Sequence, residues 1–123
     1  MNPPLLYFGS LLIAVWGIAH LFATQGVVDG FGDLSEDNRR IITMEWLVEG
    51  VALISTAIFV VTVTMIDPLA PVSSAVYGVA IATLVVLTFI SFFTGFKINF
   101  LPFKLCPVIF IVSSVLIGWG AWF

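Results

Sequence analysis

Charge is what this chain has least of. Only 9% of its 123 residues are Asp, Glu, Lys or Arg, while 61% are hydrophobic. So few charges cannot cover the surface of a soluble domain. The basic residues are Arg39, Arg40, Lys97 and Lys104, with no longer run among them. That is too little positive charge for a nucleic-acid footprint, so no nucleic-acid partner is expected. Cysteine is nearly absent as well. Cys106 alone cannot close an intramolecular disulfide, which excludes a dithiol redox relay within one chain. His20 is the only histidine. There is no H-x-x-H or E-x-x-H pair, so no metal is expected, although one His and two carboxylates would suit iron, manganese or zinc. A bis-histidine haem would need a dimer, and no cofactor can be named.

What the chain does have is long apolar runs, with a mean hydropathy of +1.21. Its length holds about four spans of ~20 residues each. The expected fold is all-α, an integral membrane four-helix transmembrane bundle in a single domain over 1–123. The spans are expected near 4–23, 41–66, 72–96 and 102–123. The first apolar run has no Lys or Arg ahead of it and is long enough to span, so it is read as a helix and not as a signal peptide. Pro3 and Pro4 suit a helix start. Gln25 to Leu34 is rich in glycine and aspartate and reads as a loop. Ser35 reads as an N-cap, with Glu36 and Asp37 in the first turn and Arg40 four residues beyond Glu36. The second helix then runs to Ile66, where Asp67-Pro68 ends it. The loop before the fourth helix mixes lysines, aromatics and prolines, as at a membrane interface. The fourth helix is expected to start near Pro102, with Pro107 inside its first turns.

Orientation follows from the four basic residues. Their loops belong in the cytoplasm and both termini outside, in a bacterial cytoplasmic (inner) membrane. The same residues can hold anionic membrane lipid. Gly78 and Ala82 stand at small-xxx-small spacing, and such faces suggest a homo-oligomer.

The chemistry concentrates in Asn38 to Gly50. Glu45 and Glu49 sit four residues apart inside an apolar helix. A carboxylate there is costly and ordinarily faces the protein interior with a partner or a task. By helical phase, Asn38, Glu45, Glu49, Ala52 and Thr56 share one stripe, while Arg40 points away. The acids' partners should therefore come from other helices. His20 is the first candidate, because it lies at the same depth and shares a face with Trp16. Thr94, Asn99 and Cys106 belong to the same end. The expected site is a cytoplasm-facing polar pocket, with His20, Glu45 and Glu49 as catalytic or polar determinants. Trp16, Asn38, Trp46, Thr94 and Asn99 would line it around a lipophilic or amphipathic small molecule. Plainer readings exist: Glu45 can snorkel to the interface, His20 can be an interhelical hydrogen-bonding residue, and Cys106 can be inert packing.

Such a pocket allows acid/base chemistry or cation recognition, with one acid protonated and the other ionised. It also allows proton-linked transport through Glu49, or no chemistry at all in an accessory subunit of a membrane complex. The four-span plan, the size and Gly17-Ile18-Ala19-His20 resemble the DoxX-like group of small bacterial membrane proteins. That resemblance implies a four-helix membrane fold, with quinone-linked oxidation in some members, and carries over no catalytic residue. The small multidrug transporters have four spans near this length but keep their glutamate in helix one, where this chain has Ala14 and Val15. The emopamil-binding group is similar only in using membrane-embedded acids in a lipophilic pocket.

Overall fold

The computed structural model describes all residues from Met1 to Phe123 and contains four helices with no strand: α1 (Pro3–Gly30), α2 (Glu36–Ile66), α3 (Pro71–Thr94) and α4 (Leu101–Trp122). Each is long and apolar enough to cross a membrane. Large apolar side chains such as Phe8, Phe22, Phe59, Phe93 and Trp119 stand exposed around the outside. In water such a surface would aggregate, whereas in a bilayer it faces lipid. The protein is an integral membrane four-helix bundle.

Because lipid removes most of the hydrophobic drive between helices, close packing has to hold them together. α1 is the central element here, with α2 against one side and α4 against the other; α3 packs mainly on α4 and touches α2 lightly. Two glycine contacts set the approach. A Cβ on Gly17 would lie 2.7 Å from the Gly50 carbonyl oxygen, so α1 and α2 cross backbone to backbone. A Cβ on Gly120 would lie 2.9 Å from the Leu6 nitrogen, so α4 meets α1 as closely near the other end. There the Asn2 N–H donates to the Gly120 carbonyl at 2.8 Å. Leu6, Ile13, Val60, Leu84, Phe110 and Ile117 fill the core between these contacts.

The first helix is longer than its sequence indicates. Gln25 to Gly30, expected as loop, continues α1. Gly26 and Gly30 have nothing near their missing side chains, so each contributes only the entropic cost of a helical glycine, about 0.5–1 kcal/mol. Against that, Val28 is buried. Asp29 accepts from Gln25 one turn back and from the Arg39 guanidinium of α2 at 2.7 Å. The chain then reverses through Gly32, whose φ of 75° is the one left-handed position. Ser35 caps α2 by accepting from the Asn38 N–H, and Glu36 pairs with Arg40 at 2.9 Å.

α4 starts at Leu101 and carries Pro107 within it. With no N–H at Pro107, the Phe103 carbonyl loses its usual partner four residues on. α2 and α3 are tied at the end away from the arginines, where buried Thr64 and Tyr77 share a hydrogen bond of 2.9 Å.

Candidate functional site

Three residues beyond the Gly17–Gly50 crossing, on the side of the arginines, α1 presents His20. The ring is 4% exposed. Its Nδ1 lies 2.9 Å from the Trp16 carbonyl oxygen. A carbonyl only accepts, so Nδ1 carries the hydrogen in this contact. Nε2 is therefore left with a lone pair whenever the imidazole is neutral. It faces Glu49 Oε1 of α2 at 3.6 Å. That is an ion-pair distance, slightly beyond a direct hydrogen bond. A lone pair facing a carboxylate is repulsive, and one added proton makes the contact attractive. His20 and Glu49 thus form a unit suited to holding a single proton.

Aromatic rings fix this unit. The imidazole stacks on Trp46 with centroids 4.8 Å apart and planes at 26°. It meets Trp16 edge to face at 5.7 Å, and Trp46 in turn meets Phe103 of α4 edge to face at 5.6 Å. Each such pair is worth about 0.5–1.5 kcal/mol beyond burial. The Trp16 indole N–H is buried without a hydrogen-bond partner.

Two cavities share this wall. An apolar one of about 130 Å³ lies between α1 and the start of α4, reaching Trp16, Ala23, Val27, Phe100 and Phe103. The other is a groove of about 270 Å³ between α2 and the end of α3. Glu49 opens into it, 41% exposed. Ser91, Thr94 and Gly95 of α3 form the opposite bank, with Phe103 and Cys106 of α4 at the base.

The structure therefore brings together His20, Glu49, Trp16, Trp46 and Thr94. It separates Glu45, Asn38 and Asn99 from them. All three are exposed, and their side chains make no hydrogen bond or ion pair. The reason is the phase of α2. Its buried face runs through Gly50, Leu53, Ala57, Val60 and Thr64. Glu49 lies about 60° to one side of that face and can reach inward, whereas Glu45 lies about 100° away. Trp46, the next residue, takes the inward position instead. No three His, Cys, Asp or Glu side chains are placed to hold a metal ion together. Phe103 and Ser91 are site residues that the sequence does not single out. Phe103 is one turn from Cys106 and Ser91 one turn from Thr94, so helical spacing from those two was the available signal. Comparison with protein families, with curated proteins and with solved structures finds no match for this chain.

Proposed function

We propose that this protein binds a lipophilic or amphipathic small molecule at the groove between α2 and α3, with Glu49 and His20 as its polar determinants. The observation that carries the reading is the His20–Glu49 contact of 3.6 Å inside a stack of aromatic rings. A buried histidine pinned at Nδ1 and facing a carboxylate is more than packing requires. Binding sites of this kind combine mostly apolar walls with a few placed polar groups. Opening between two helices lets a lipophilic molecule enter from the bilayer, with its polar end at the pair.

In the proposed orientation the groove faces the cytoplasm, the termini lie outside, and the membrane is the bacterial inner membrane. Arg39, Arg40, Lys97 and Lys104 support this by gathering at one end. A cytoplasm-only reporter fused after Phe123 should be silent, and strong activity would overturn the orientation. The DoxX-like resemblance stays a proposal resting on the four-span plan and Gly17-Ile18-Ala19-His20. In this bundle Gly17 is the crossing point of α1 on α2 and His20 is the candidate-site imidazole. A homo-oligomer remains part of the proposal: Gly78 has nothing near its missing side chain and Ala82 is exposed, which leaves that stripe open to another copy. Acid/base or redox turnover would use the proton held by the pair. Proton-linked transport has less support, because the buried polar groups toward the other face are hydroxyls, and that of Ser10 is committed to its own helix at Leu6.

The test is what the purified protein retains. Lipophilic molecules extracted from wild type, His20→Gln and Glu49→Gln would be compared by mass spectrometry. A molecule present in the first and depleted in both variants is expected. Identical extracts at identical occupancy would sink the reading.

A further inference from the structure

The polar groups around the groove have a common property. The Ser91 hydroxyl donates to the Leu87 carbonyl at 2.6 Å, and the Thr94 hydroxyl to the Ile90 carbonyl at 2.6 Å. The Cys106 thiol points at the Pro102 carbonyl at 3.5 Å. The His20 Nδ1 hydrogen is committed to Trp16. Each of these side chains has used its donor within its own helix. What they still offer is lone pairs, beside the ionisable oxygens of Glu49. The Trp46 indole N–H is the one side-chain donor on the groove left uncommitted. An anionic or acceptor-rich head would find almost nothing to bond here. A donor-rich cation would find acceptors, a carboxylate, and the faces of Trp46 and Phe103, to which cations are attracted.

We propose that the groove takes an amphipathic organic cation with N–H donors, of the alkylammonium or amidinium class, and that this cation and the proton of the His20–Glu49 unit exclude each other. The inference rests on the site reading above and names its ligand class. Charge explains the exclusion. With Glu49 ionised and His20 neutral the unit carries one negative charge, on a carboxylate that opens into the groove beside a buried ring. One proton or one ammonium group neutralises it, whereas both together leave a net positive charge in a low-dielectric site. An incoming ammonium donates to Glu49 and to the Nε2 lone pair, and the displaced proton leaves to water. The titratable groups around the pair are His20 from α1, Glu49 from α2 and Cys106 from α4, and α3 contributes hydroxyls only. Glu45, Lys97 and Lys104 form no ion pair with it.

The seam between α2 and α3 also provides for a tail. About 10 Å farther along α2, two turns from Glu49, an apolar trough of about 480 Å³ opens between Thr56 and Phe59 on one side and Val76, Ala80 and Thr83 on the other. Head groove and trough lie on the same pair of loosely packed helices, so one amphiphile can occupy both.

The experiment uses the whole protein in nanodiscs of zwitterionic lipid. Dodecylammonium, dodecyltrimethylammonium, dodecanoate and dodecanol are titrated, with tryptophan fluorescence and calorimetry as readouts. Dodecylammonium should saturate, bind at least tenfold tighter than the trimethylated chain that lacks N–H donors, and release up to about one proton per site in weak buffer at the pH values where its affinity is falling. Its affinity should fall by up to about tenfold per unit as pH drops through the range where the unit protonates. Glu49→Gln should abolish saturation; should that variant fail to fold, proton release and pH dependence in the unaltered protein decide alone. Binding of dodecanoate or dodecanol as tight as that of dodecylammonium, or binding that neither releases a proton nor weakens at any acidic pH, overturns the cation assignment. If that other chain is still lost in Glu49→Gln, the site reading stands. If no chain saturates and Glu49→Gln is silent, both fail.

Discussion

Gly17 and Gly50 lie backbone against backbone where α1 crosses α2. A Cβ on Gly17 would be 2.7 Å from the Gly50 oxygen, and one on Gly50 would be 2.8 Å from the Gly17 oxygen. Leu53 and Leu21 close around the same point. Both obstructing atoms are backbone, so neither can swing aside. Relief requires α1 to move off α2 as a body. His20 is on the next turn of α1, and Glu49 directly precedes Gly50. The crossing therefore sets how far His20 stands from Glu49.

Alanine at Gly17 or Gly50 should accordingly destabilise the bundle. Helix propensity alone favours alanine by about 0.5–1 kcal/mol, but overpacking of a close contact costs about 1–3 kcal/mol. The net expected is a loss, read as a lower unfolding midpoint in detergent. A blue or red shift of the Trp46 emission should accompany it, because Trp46 leaves the His20 ring. An unchanged midpoint and spectrum would show that the helices do not meet this way.

Glu45 and Glu49 are four residues apart and should behave differently. Glu45→Gln alters an exposed carboxylate without partners and should stay within about 0.5 kcal/mol of wild type. Glu49→Gln removes the carboxylate facing a histidine that is 4% exposed. It should change stability measurably, because an amide N–H can donate to the Nε2 lone pair that a carboxylate repels, and under the proposed function it should weaken binding at the groove. Chemical denaturation of both variants in mixed micelles decides this. Equal effects would place the two acids in equivalent surroundings, contrary to the phase of α2.

The four helices and most of their ends were legible because apolar length, prolines and the Ser35 cap are local signals. The end of α1 was not. Its glycines spoke for a loop, and the contact that extends the helix, Asp29 with Arg39, joins residues ten apart that no local propensity registers. The site was legible by depth and only partly by phase. Helical periodicity correctly groups Glu45 with Glu49, but it does not say which side of the group turns inward. That is decided by where Gly50, Leu53 and Ala57 pack, about a quarter turn from the acids. On the groove's third and fourth walls only Thr94 and Cys106 were within reach of the sequence, for the same reason. Ser91 and Phe103 become neighbours of Glu49 only once α3 and α4 are placed.

Tyr77 is fully buried, and its hydroxyl is 2.9 Å from that of Thr64. Thr64 itself donates to the Val60 carbonyl at 2.6 Å, so the tyrosine is the donor between the two. Tyr77→Phe keeps the ring and deletes this link between α2 and α3. Interhelical hydrogen bonds in membranes are worth about 0.6 kcal/mol on average and up to about 1.7. A loss in that range is expected in a steric-trap or denaturant measurement. Because α2 and α3 touch lightly elsewhere, hydrogen exchange should rise first in that pair. Uniform loosening of all four helices would contradict the role of this contact.

Outside the membrane the pair to test is Asp29 and Arg39. The guanidinium, 2.7 Å away, lowers the Asp29 carboxyl below its ordinary value, and the Gln25 amide adds to the effect. A lowered carboxyl contributes stability that is fully present above the unfolded value, near 3.8, and is lost as pH falls through the folded one. The contact is exposed and screened by salt, so its effect should be confined to the last turns of α1. Amide exchange at Val27 to Gly30 should be slow at neutral pH and should speed up, beyond the intrinsic rate, as pH falls below the ordinary carboxylate range. In Arg39→Gln the same amides should exchange fast at neutral pH and show little further dependence. Continued slow exchange in that variant would mean that Val28 burial alone holds the extension, and that the ion pair is incidental to it.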